Sequence, residues 1–64
     1  MADYTEDVRR ILAQNGFVFL RRGKGDHVIW RNTADGRTVA VDGKIKSRHS
    51  ANATLKQAGL PKAF

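Results

Sequence analysis

Tyr4, Val8, Ile11 and Leu12 fall at i, i+4, i+7 and i+8, one face of a helix at 3.6 residues per turn. Asp3 followed by Glu6 resembles a capping box, and the early acids followed by Arg9 and Arg10 suit the helix dipole. Gly16 is the expected left-handed stop, which returns Phe17 onto Leu12. The period then changes. Three runs rich in branched and aromatic residues follow, Phe17–Arg22, His27–Asn32 and Arg37–Asp42. Their separators, Gly23-Lys24-Gly25 and Thr33-Ala34-Asp35-Gly36, are short enough for hairpins. Ser47 or Ser50 then caps a helix running to Ala58, Gly59 stops it, Leu60 folds back on Leu55, and Pro61 prevents continuation. The order is α-β-β-β-α. This predicts an α+β fold in which a three-stranded antiparallel meander carries both helices on one face.

The second hairpin predicts a register. With Thr33–Gly36 as a four-residue loop, Asn32 faces Arg37, Trp30 faces Val39 and Val28 faces Val41. Trp30, Val39, Val28 and Val41 then share the core face, while His27, Ile29, Arg31, Thr38 and Ala40 take the open one. His27 is placed across from Asp42, an expected orienting partner, and Asp26 is expected to point to the other side. Both faces of the first run are apolar, Phe17/Phe19 and Val18/Leu20, and the pattern leaves open which pair is buried.

Length and charge narrow the classes. The 64 residues are read as a single domain, 1–64, near the lower limit for one hydrophobic core. Without cysteine, neither a disulfide nor a cysteine-ligated zinc supplements that core, and two histidines with scattered acids are too thin for a metal cage. No apolar run approaches the roughly 20 residues of a membrane span. The acidic start, Asp3, Glu6 and Asp7, is unlike a signal peptide, so a cytoplasmic protein is expected. The net charge is +6, and all twelve Lys and Arg follow that acidic start, against only Asp26, Asp35 and Asp42. Such a field favours nucleic acid, an acidic membrane surface or an acidic protein.

Candidate chemistry centres on Gly23-Lys24-Gly25-Asp26-His27. The glycines let the backbone approach a bulky anion, the lysine attracts it, and histidine moves protons near neutral pH. It is not a dinucleotide fingerprint, because Val28 stands at the third glycine position and a strand follows in place of a helix. A lone histidine at a strand start is usually structural or solvated; the basic loop before it and its open-face register raise its weight. Lys44, Lys46 and Arg48 form a compact basic segment ahead of the second helix, where His49 also stands.

At Gly-Lys-Gly-Asp-His-Val-Ile-Trp the chain resembles the HicA (YcfA-like) toxins of bacterial toxin–antitoxin pairs. The resemblance covers essentially all of it. A helix ending in Asn15-Gly16-Phe17 leads to the Arg-rich strand and the glycine–histidine motif. Asp35-Gly36-Arg37, Val39-Ala40-Val41 and Leu55-Lys56-Gln57-Ala58-Gly59-Leu60 follow. No piece is specific alone; their order and spacing are. One departure is Asp26, where many members carry serine. The resemblance implies a double-stranded-RNA-binding-domain-like fold, mRNA interferase activity, a catalytic role for His27, and a HicB-type antitoxin partner.

The expected activity is endonucleolytic cleavage of mRNA without metal or other cofactor. RNA supplies its own nucleophile in the 2′-hydroxyl, and His27 serves as general base or general acid. Lys24 and Gly25, with Arg22 or Arg31, face the phosphate, while Lys44, Lys46 and Arg48 hold the RNA backbone. His49, water and Lys24 are the options for the second proton-transfer group. The alternatives are a non-catalytic RNA-binding module of the same fold and a protein-interaction domain.

Overall fold

A computed structural model describes residues 3–64 of the chain. Helix α1, Thr5–Gln14, precedes strands β1, Phe17–Arg22, β2, Val28–Asn32, and β3, Thr38–Val41, and helix α2, Arg48–Gln57, closes the order. The strands form one antiparallel sheet in the order β1-β2-β3. This is the α-β-β-β-α arrangement of double-stranded-RNA-binding domains. Val8 and Leu12 of α1 and Ala51, Leu55 and Ala58 of the second helical segment share one buried cluster with Phe17, Val39, Val41 and Ile45. Val28 and Trp30 lie half-buried against it. No helix among the described residues is long and apolar enough to cross a membrane.

The helix ends show how local sequence sets the frame. Gly59 takes φ 79°, which lets Leu60 N–H reach the Leu55 carbonyl at 2.9 Å and Gly59 N–H reach that of Lys56 at 2.9 Å, a complete Schellman closure. Ser47 is the cap of α2, and its Oγ accepts from Ser50 N–H at 3.1 Å. The start of α1 differs from the capping box expected there. Tyr4 occupies the cap position without a side-chain bond, and Asp3, one residue further out, accepts from Thr5 N–H at 3.0 Å. Tyr4 sits there with its ring edge-on to Phe64, centroids 5.0 Å apart.

The β2–β3 register is the one the pattern predicts: Val28 pairs with Val41, Ile29 with Ala40, Trp30 with Val39 and Arg31 with Thr38. Asn32 N–H bonds the Arg37 carbonyl at 2.7 Å and closes the four-residue loop, in which Gly36 has φ 78°. Strand β1 has the expected bounds, whereas β2 and β3 are trimmed, so that His27 and Asp42 lie just beyond their ends.

Strand β1 obeys neither alternation. Phe17 is buried, whereas Val18, Phe19 and Leu20 are all about half exposed. A register shift between Phe19 and Arg21 leaves Leu20 without a partner in the ladder, so β1, at a sheet edge, carries a bulge.

Ile45 was the least visible core residue, one apolar side chain among lysines, and it is 1% exposed. The start of α1 clasps it from both sides. Tyr4 N–H donates to the Ile45 carbonyl at 2.8 Å, and Ile45 N–H donates to the buried Thr5 Oγ1 at 2.8 Å. Burial of Ile45 leaves Lys44 and Lys46 at the surface on either side of it.

Candidate functional site

Because Val28 and Val41 are direct partners, the residues flanking them, His27 and Asp42, meet at the next position of the hairpin. His27 Nδ1 lies 2.9 Å from Asp42 Oδ1, with both side chains about half exposed. A carboxylate only accepts, so Nδ1 carries the proton of this bond. In the neutral ring Nε2 is then the basic nitrogen. The pair is oriented yet open to solvent.

Two glycines shape its surroundings. Gly25 turns the β1–β2 loop with φ 59°, His27 N–H bonds the Lys24 carbonyl at 3.1 Å, and Gly23 N–H bonds the His27 carbonyl at 2.8 Å. On the other side, Gly43 passes so close to Asp26 that a Cβ there would stand 2.7 Å from the Asp26 carbonyl oxygen and 2.9 Å from its Cβ. Only glycine permits this approach, which presses the end of β3 against the residue before His27. The result is an open concavity of about 420 Å³ lined by Lys24, Gly25, Asp26, His27, Asp42, Gly43 and Lys44. Asp26 also lines this concavity.

Of the sequence-predicted set, His27, Asp42, Lys24, Gly25 and Lys44 are therefore brought together. Lys46, Arg48 and His49 are exposed but do not line the concavity. Arg31 lies toward the far end of β2, where its Nη2 comes 3.6 Å from the Cβ position of Gly36. Arg22 pairs with Val28, a residue of the core-facing set, whereas Arg21 pairs with Ile29 on the face that carries His27. Simple alternation from buried Phe17 gives the opposite assignment; the bulge exchanges the two arginines. Sequence reasoning missed Arg21 and Gly43, one hidden by a bulge and the other by a contact made only in the folded hairpin.

Two cations, an oriented imidazole and two glycines around an open concavity suit a polyanion passing across the surface. They can neutralise charge, hold a strand and move a proton. A family model for the HicA toxin of bacterial toxin–antitoxin systems matches residues 5–60. Neither the curated proteins nor the solved structures contain a match to the chain.

Proposed function

The chain belongs to the HicA toxin family of bacterial toxin–antitoxin systems, and we propose that it acts there as a metal-independent endoribonuclease on mRNA, with His27 as its proton-transfer residue. The observation that carries this reading is the His27 Nδ1–Asp42 Oδ1 bond of 2.9 Å inside a concavity flanked by Lys24 and Lys44.

The chemistry follows from that arrangement. Asp42 holds the imidazole in one tautomer and orientation, leaving Nε2 on the far side of the ring for the substrate. Nε2 removes the proton of an RNA 2′-hydroxyl, whose oxygen attacks the adjacent phosphorus. The P–O5′ bond breaks, and the departing oxygen takes a proton from water. The products are a 2′,3′-cyclic phosphate and a 5′-hydroxyl. General-base assistance of this kind contributes about 10²–10⁴-fold. Lys24 and Lys44 oppose the charge that grows on the phosphoryl oxygens, and the Gly25 turn lets the RNA backbone come close. Lys46 and Arg48, exposed beyond the concavity, extend the cationic track along the RNA. A HicB-type antitoxin would restrain the toxin in the cytoplasm, where its mRNA substrate is found.

The test is cleavage of an unstructured transcript by purified protein in the presence of a chelator. Wild type cuts the all-ribose strand and leaves its 2′-deoxy counterpart intact, and His27→Ala cuts neither. Equal cleavage of both strands would remove the proposed nucleophile.

A further inference from the structure

We propose that Arg21, beside the bare backbone of Gly23, forms a phosphate-binding subsite near His27 that holds the RNA backbone next to the cleaved bond. The proposal rests on the reading of His27 as the centre of an RNA site, and three independent features support it.

The first is the bulge in β1. Arg21 pairs with Ile29, and Ile29 is two residues from His27 along β2, so all three belong to the open face of the sheet. Arg21 is the diagonal neighbour of His27. Such positions stand about 7–8 Å apart, within reach of a long side chain. Arg22, facing Val28, has its Cα–Cβ direction on the helix-bearing side. The second is the lie of the side chain. Arg21 Nη1 is 3.4 Å from the Arg22 carbonyl oxygen, so the guanidinium is folded along β1 toward the Gly23 loop instead of away from it.

The third is Gly23 itself. A Cβ at this position would sit 3.4 Å from Ile29 Cδ1, 3.5 Å from the His27 carbonyl oxygen and 3.6 Å from His27 Cβ, on the open face. These are ordinary contact distances, and Gly23 is not among the glycines with positive φ. Neither backbone conformation nor crowding demands glycine here; its effect is to put no side chain on the open face next to His27. Among the described residues no carboxylate lies within ion-pair distance of Arg21. A planar, permanently charged fork on the same face as a proton-transfer residue is matched by a phosphodiester.

The test compares Arg21→Ala with Arg22→Ala. Each removes the same charge from adjacent positions, so the long-range field changes alike and any difference reports local contact. The probe is a labelled single-stranded oligonucleotide built only of 2′-deoxyriboses, which the proposed reaction cannot cut. Its dissociation constant is measured by fluorescence anisotropy across a salt series, after thermal melts show that the variants fold. Arg21→Ala is expected to weaken binding about tenfold and to reduce the salt slope by about one contact. Arg22→Ala is expected to weaken it no more than about threefold, and Gly23→Val, which puts a branched side chain on that face beside His27, to resemble Arg21→Ala. Equal losses from the two arginine variants, or none from Arg21→Ala, would overturn the subsite. A wild type that binds the probe in an Arg21-dependent way but fails to cut RNA would leave the subsite standing and overturn the cleavage reading instead.

Discussion

Replacing Gly43 by alanine tests whether the close approach of the two hairpin ends builds the site. The added Cβ would stand 2.7 Å from the Asp26 carbonyl oxygen and 2.9 Å from Asp26 Cβ. Ordinary contact begins at 3.4 Å, so one of the two backbones must retreat by about 0.7 Å. Neither neighbour is the flexible end of a side chain that could swing aside. Asp42 immediately precedes Gly43 and His27 immediately follows Asp26, so this displacement falls on the bonded pair. A 0.7 Å shift along the 2.9 Å His27–Asp42 contact stretches it to about 3.6 Å, beyond hydrogen-bond range. Loss of this contact costs the reaction up to about tenfold, no more than removal of Asp42 itself. The strain in stability is smaller, about 1 kcal/mol, the low end for overpacking because the site lies at the surface. For a domain of this size that lowers Tm by about 4–8 °C. Single-turnover cleavage of an RNA transcript and a thermal melt by circular dichroism read the two effects. Gly43→Ala with wild-type cleavage and a wild-type Tm would refute the reasoning, since the contact would then constrain nothing.

Other parts of the structure give separate expectations. Asp42→Ala should slow cleavage by roughly tenfold, short of the full loss at His27→Ala, because both side chains are half exposed and water screens their pairing; a rate unchanged in single-turnover assays would exclude an orienting role. Thr5→Val removes the acceptor of the buried Ile45 N–H and should cost about 1–3 kcal/mol in denaturant unfolding, with Thr5→Ser recovering most of it. Gly59→Ala places a side chain at φ 79° beneath the Arg37 guanidinium and should destabilise by at least ~1 kcal/mol, read as a lower Tm.

The architecture was legible where local signals agreed with one another. The two helix stops at Gly16 and Gly59 and the four-residue loop before Arg37 set the element order. The alternation of Val28, Trp30, Val39 and Val41 fixed the hairpin register, and with it the meeting of His27 and Asp42. Strand β1 was not legible, because a run that is apolar on both faces carries no period of two. A bulge then inverts the later residues without any mark in composition, so the faces of Arg21 and Arg22 cannot be read from alternation. Ile45 and Gly43 were hidden for a different reason. Ile45 is buried through bonds to Tyr4 and Thr5 at the other end of the chain, and Gly43 is constrained by Asp26 across a hairpin. Such partners are distant in sequence, so neither periodicity nor turn chemistry records them.

The central claim is that an Asp42-held His27 activates the RNA's own 2′-hydroxyl. It is tested most directly by the chemistry of the cut ends, determined by mass spectrometry on a transcript cleaved by wild type and by His27→Ala. The account predicts 2′,3′-cyclic phosphate and 5′-hydroxyl ends from the wild type and no cleavage by the variant. Ends bearing 3′-hydroxyl and 5′-phosphate, or the same products at the same rate from His27→Ala, would contradict it.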